Sequence, residues 1–230
     1  VRWEQVTENV IPFPHRHSWK RSLDVGDLRF RRLLGEGAWW RLPEAVQARF
    51  GKHLGGGRTV LYAGEIVECR MSLIGRSIAL AARLIGGPLP ISRDVWVPAV
   101  VSVTEDPASG GQFWTRIYGR RRGFPQVIHS AKRFAGPTGL EEYIGWGIGI
   151  ALVVSAENGA LHFLSDHYFM TFGRLRLRLP HWLTPGRMQV SHVDCGSGGF
   201  AFVFSLVHPL FGELVHQTAM FNDAGANDRL

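Results

Sequence analysis

Between residues 95 and 221, apolar side chains recur at every second position in runs of about ten residues, broken by glycine, asparagine and proline. The runs fall at 95–104, 112–121, 125–134, 141–156, 160–173, 187–194, 199–208 and 213–221. A period of two places alternate side chains on opposite faces, the mark of a strand with one face buried. The gaps hold Asp106-Pro107, Gly110-Gly111, Asn158-Gly159 and Ser197-Gly198-Gly199, residue types that tolerate the positive φ of hairpin turns. Asn158-Gly159 is the strongest of these signals and predicts that 141–156 and 160–173 are antiparallel neighbours.

Upstream the period lengthens. Phe30, Leu33 and Leu34 recur at three and four, which predicts a helix opened by Asp27 as N-cap and stopped at Gly35. A second helix is predicted from Pro43 to Phe50, with Gly51 behind it. Residues 59–70 read as a strand. Residues 72–87 read as a helix with Ile74, Ile78, Ala81 and Ile85 on its apolar face and Arg76 and Arg83 opposite. Residues 1–26 lack periodicity and are expected to form an arm, 27–222 a single β-rich domain, and 223–230 a tail.

The segment 143–154 sets the expected curvature. Ile144, Trp146, Ile148, Ile150, Leu152 and Val154 alternate with Gly145, Gly147, Gly149 and Ala151. Read as one strand, it has a face too bare to resist sharp coiling. With the hairpin signals this predicts an α+β, mainly antiparallel fold: a strongly curved sheet or lipocalin-like β-barrel of about 8–10 strands with two or three short helices. Aromatics at 11% of residues agree with strands and with a pocket lining.

The formal net charge of +7 is carried almost wholly by arginine, with lysine only at Lys20, Lys52 and Lys132. These cations form no long basic arm, so nucleic acid is not expected as a partner. Arg174, Arg176 and Arg178 alternate with leucines, predicting an edge strand defended by charge. The alternative reading of this ladder, with Arg76 and Arg83, is contact with a membrane surface. Cys69 and Cys195 make neither a disulfide framework nor a metal motif, and the first 30 residues hold no continuous apolar stretch. The expected location is the cytoplasm, with a peripheral place at the inner membrane as the variant.

Candidate chemistry follows from strand parity. Trp114, Arg116 and Tyr118 share one face. Turned inward, an arginine between aromatics would grip a carboxylate or phosphate while the rings hold an apolar tail. Glu142, at the start of the glycine-rich run, is a candidate partner for Arg116 or a general base with a raised pKa. Trp146, from the large face of that run, and His208, at a bend before Pro209, complete the expected set. Lys132 is expected in solvent, the alternative being a buried amine able to form a Schiff base. The histidines and cysteines show no ligand spacing, no nucleophile elbow is present, and no cofactor can be named.

The stretch "FRRLLGEGAWWRLPEAVQARF" beginning at Phe30 resembles the opening of a bacterial family, domain of unknown function 4166. The resemblance continues through "FWTRIYG" (113–119), "GLEEYIGWGIGIAL" (139–152), "LPHWLTPG" (179–186) and "FAFVFSLVHPLFGELVHQTAMF" (200–221). It implies a domain that stands alone or is fused to oxidoreductases similar to saccharopine dehydrogenases, and so an accessory role beside redox chemistry. Gly55-Gly56-Gly57 precedes a strand rather than following one, so this chain carries no dinucleotide fingerprint. An NAD(P)-dependent oxidoreductase would be a separate partner. The leading expectation is a module that binds a hydrophobic small molecule, acyl or isoprenoid in type, with an anionic head. One alternative is an enzyme using Glu142, His208 and Arg116 in the same cavity; the other is a peripheral membrane or protein-interaction domain.

Overall fold

Alternation builds the walls. In the computed structural model, which describes residues 27–55 and 58–223, the second strand buries Val97, Ala99, Val101 and Val103 while the residues between them face outward or sit half-buried. The arm expected at 1–26 and all but Asp223 of the expected tail lie outside the described residues. The strands are β1 (Thr59–Met71), β2 (Val97–Asp106), β3 (Gly111–Tyr118), β4 (Gln126–Arg133), β5 (Glu141–Gly145), β6 (Ile148–Glu157), β7 (Ala160–Phe172), β8 (Leu175–Arg178), β9 (Arg187–Gly196), β10 (Gly199–His208) and β11 (Gly212–Asp223). The helices are α1 (Arg29–Leu34), α2 (Glu36–Trp39), α3 (Glu44–Phe50) and α4 (Leu73–Ala81).

Every pairing is antiparallel, and the sheet closes on itself. Its order is β6-β5-β4-β3-β2-β1-β11-β10-β9-β7-β8, and β6 pairs with β7 to seal the ring. The result is a closed ten-stranded barrel with β8 as an extra strand. The Asn158-Gly159 hairpin forms as expected, with both residues at positive φ. β7 forks: Ala160–Leu164 pairs with β9, while Phe169–Phe172 pairs with β8.

The segment 143–154 is corrected. It is two strands, because the chain reverses at Trp146-Gly147, where Gly145, Trp146 and Gly147 all have positive φ (130°, 51° and 75°). The Gly147 carbonyl accepts hydrogen bonds from Thr171 N at 2.8 Å and Thr171 Oγ1 at 3.0 Å, which fixes the turn. Past the turn the bare positions make room for other groups: a Cβ on Gly149 would lie 2.3 Å from the Phe169 ring. A large-small alternation is thus produced by a glycine-flanked turn as readily as by one continuous strand.

Helix α4 corrects a second expectation in part. Ser72 Oγ caps it by accepting from Gly75 N at 3.0 Å, but the residues that bury are Gly75 and Ala79, against β11. Close approach selects them, since a Cβ on Gly75 would lie 2.1 Å from the Leu214 carbonyl oxygen. Of the expected apolar face, Ile78, Ala81 and Ile85 do turn toward the barrel interior, while Ile74 is exposed.

The two barrel ends differ. At one, α1–α3 plug the opening with Phe30 and Phe50, which meet Phe163 in aromatic contacts of 5.9 and 5.8 Å. Arg49 locks this plug, bonding Asp194 and Asp223 at 2.9 Å each and lying 4.3 Å over the Phe200 ring. At the other end the loops leave a mouth.

Candidate functional site

The barrel encloses a cavity of about 580 Å³, within the range of small-molecule sites. Its walls are mostly apolar, including Val101, Ile128, Ile150, Phe163 and Phe202. Trp182, Leu183 and Phe211 line it and are also exposed, so it opens between the 3-10 turn His181–Leu183, the β10–β11 loop and α4. On the plugged side Phe50, Phe200 and Phe202 surround the buried His192 at ring distances of 4.8–5.1 Å.

One polar cluster interrupts the apolar wall. Register places Lys132 opposite Glu142 across β4 and β5, and Gln112 opposite Lys132 across β3 and β4. Residues directly opposite in an antiparallel pair share a face, and this face points inward. Lys132 Nζ donates to Glu142 Oε2 at 2.8 Å. Arg116 reaches from β3, donating to Glu142 Oε1 at 3.1 Å and to Ser130 Oγ at 3.2 Å. The ammonium also lies 5.0 Å from the Trp114 ring and 5.3 Å from the Phe163 ring, a cation–π arrangement strengthened by desolvation.

Burial and charge shift both partners of the pair. Burial alone pushes the Glu142 carboxyl up, but the charges of Lys132 and Arg116 and the hydrogen bonds from Lys132 and Ser130 outweigh it and hold the group at about 2. Burial pushes the Lys132 amine down from its ordinary value; Arg116 adds to that, and Glu142 opposes it. Two basic side chains thus face one carboxylate within an apolar chamber, and Glu142 is shared between them.

Of the residues singled out by sequence, Trp114, Arg116, Tyr118, Glu142 and His208 line this cavity. Trp146 does not. It is 79% exposed at the tip of the β5–β6 turn, because the reversal there carries it off the wall. Of the two readings for Glu142, the pairing with Arg116 is the one present; the raised carboxyl is not, since the two basic neighbours outweigh burial. His208 is engaged locally: its Nδ1 accepts from Leu210 N at 3.1 Å and its ring stacks on Phe211 at 4.7 Å. Lys132, expected in solvent, is 3% exposed, turned inward by the pairing of β4 with β3 and β5.

Elsewhere the arginine ladder is only partly a solvent face. Arg176 crosses to the buried Glu141 at 2.5 Å and lies 3.6 Å over the Phe169 ring, tying β8 to the barrel. Among the described residues no group of three or more His, Cys, Asp or Glu is placed to hold a metal ion, and no helix is long and apolar enough to cross a membrane.

What the arrangement can do is hold an apolar body against the walls while Arg116 and Lys132 meet a negative head. A carboxylate already ionised at about pH 2 is a weak base at neutrality, so proton abstraction by Glu142 finds no support in this geometry. No curated protein and no solved structure is similar enough to this chain to match it. Residues 42–221, most of the barrel and part of its plug, match the family described as Domain of unknown function (DUF4166), and the chain belongs to that family.

Proposed function

We propose that the protein binds a small hydrophobic molecule with an anionic head, of acyl or isoprenoid type, inside its barrel. The observation that supports this most directly is the pairing of a ligand-sized apolar cavity with two basic side chains that share a single carboxylate in its wall. A guanidinium that shares its carboxylate with a second basic group is incompletely compensated in low dielectric, and an incoming carboxylate or phosphate would complete it through charge-assisted hydrogen bonds. Arg116 is suited to this contact. Its side chain keeps 20% exposure, and two of its donors are already aimed along the wall by Ser130 and Glu142.

The test is a titration with a fluorescent long-chain fatty acid and with its uncharged alcohol. The wild-type protein should prefer the acid. Arg116→Gln should weaken the acid by about tenfold or more, the scale of one lost charge-assisted bond, and leave the alcohol within about twofold. Absence of binding to either probe, or an acid preference that survives Arg116→Gln, would rule the reading out.

A further inference from the structure

We propose that the open end of the barrel docks on an anionic phospholipid surface, with the cavity mouth facing the bilayer. The inference rests on the ligand reading above for its purpose, though not for its evidence. In an antiparallel barrel alternate connections share an end, and the connections following β1, β3, β5, β7 and β10 all lie around the mouth.

Large apolar side chains are exposed on each of them: Leu73 and Leu84 after β1, Phe124 after β3, Trp146 after β5, Phe172 ending β7, and Leu210 after β10. Leu73, Leu84, Phe124, Trp146 and Leu210 are 79–89% exposed. By contrast the closed end has buried most of its large side chains in the plug. A ring of exposed apolar groups around one opening exceeds the scattered exposure normal for a water-facing surface.

Charge identifies the occupant. Arg76, Arg83, Arg120, Arg121, Arg122, Arg174 and Arg187 are all exposed on the same connections or strand ends. Among described acidic groups there, Asp94 accepts from the backbone of Arg121 and Glu213 is paired with Arg70. Helix α4 shows the combination in one element. Its small residues pack inward, and its outer face sets Leu73, Arg76 and Leu80 in line, with Arg83 and Leu84 following in a second 3-10 turn, Ala82–Ile85. Leucine and arginine on one exposed face fit the headgroup layer, where the guanidinium meets phosphate and the aliphatic chain enters the acyl boundary. A protein partner with an apolar patch would leave these arginines uncompensated; an anionic bilayer satisfies both.

The experiment is co-sedimentation of the full chain with vesicles of phosphatidylcholine alone and of phosphatidylcholine with phosphatidylglycerol. Fatty-acid titration in solution runs in parallel. The wild-type protein should bind the mixed vesicles, lose that binding at high salt, and bind neutral vesicles at least about tenfold more weakly. Arg76→Glu/Arg83→Glu and, separately, Leu73→Ser/Leu84→Ser should each reduce binding to mixed vesicles by about tenfold and leave fatty-acid affinity unchanged, since none of the four lines the cavity. Trp146→Ser should act in the same direction. Equal binding to both vesicle types, no vesicle binding at all, or a dimer in solution dissolved by Leu73→Ser/Leu84→Ser would overturn the proposal. Vesicle binding without fatty-acid binding would sink the cavity reading and leave the docking surface standing; the converse would do the reverse.

Discussion

Glu142→Gln is expected to destabilise the barrel by about 3–5 kcal/mol, the effect of removing one partner from a buried ion pair. The substitution leaves Lys132 and Arg116 facing each other inside an apolar chamber with no carboxylate between them. For a domain of this size the loss corresponds to a fall in Tm of about 10 °C or more. Its pH dependence has a definite sign. In the native cluster burial already lowers the Lys132 pKa against the pull of Glu142; without that carboxylate the folded-state value drops further. A depressed lysine contributes stability that is complete above its unfolded value and declines as pH falls, so the deficit of Glu142→Gln should be large at pH 7 and shrink toward pH 10. Urea denaturation at both pH values reads this directly.

The double variant Lys132→Met/Glu142→Leu separates fold from ligand recognition. It removes the buried amine together with its carboxylate and leaves Arg116 as the cavity's basic group, and apolar replacement of a buried pair is often neutral for stability. It should recover most of the stability lost in Glu142→Gln and still prefer the fatty acid over the alcohol. A double variant as unstable as the single would show that uncompensated charge is not what the single substitution introduces.

This cluster also shows where sequence stops speaking. The barrel was legible because its cause is periodic: alternate burial along each strand and positive-φ residues between strands leave a signal wherever they act. Trp114, Arg116 and Tyr118 were legible for the same reason, as parity on β3 needs no knowledge of its neighbours. Lys132 was not, because both faces of β4 carry mixed residues: Gln126, Ile128, Ser130 and Lys132 on one, Val127, His129, Ala131 and Arg133 on the other. Only the pairing of β4 with β3 and β5 turns the first set inward. Trp146 failed for the opposite reason. Its alternation was real, but three consecutive positive φ angles gave it a different origin. Asp166 and His167 extend the point. Adjacent strand residues ordinarily face apart, yet His167 Nδ1 and Asp166 Oδ2 are 2.6 Å apart. The register of β6 against β7 shifts between Ala151 and Leu152, leaving Asp166 as the unpaired residue of a bulge. Faces follow from patterns along the chain, whereas partners and bulges belong to register.

His192→Phe is expected to separate from the wild-type protein as the solution is acidified, by about 2 kcal/mol between pH 7 and pH 5. His192 is 1% exposed, and neither ring nitrogen has a hydrogen-bond partner among the described residues. Burial, with the charge of Arg49 adding to it, lowers the imidazole pKa to about 4. The unfolded chain titrates near the ordinary value of about 6.5, so the folded protein resists a proton that the unfolded chain accepts. Stability from this group is therefore complete above about pH 6.5 and is lost as pH falls toward 4. Glu142 shifts in the same direction but acts lower, between its ordinary range and about 2, so the interval from pH 7 to pH 5 isolates the histidine. Phenylalanine suits the site, which already sets the ring edge-on to Phe50 and Phe202 and stacked on Phe200, and it brings no nitrogen to leave unsatisfied. At pH 7 the variant should match or exceed the wild-type protein, since each buried polar group without a partner costs about 1–3 kcal/mol. Urea midpoints at pH 7 and pH 5 decide the matter: a constant gap would mean that His192 is not held as a neutral imidazole, and that the plugged end of the barrel admits charge more freely than its aromatic packing implies.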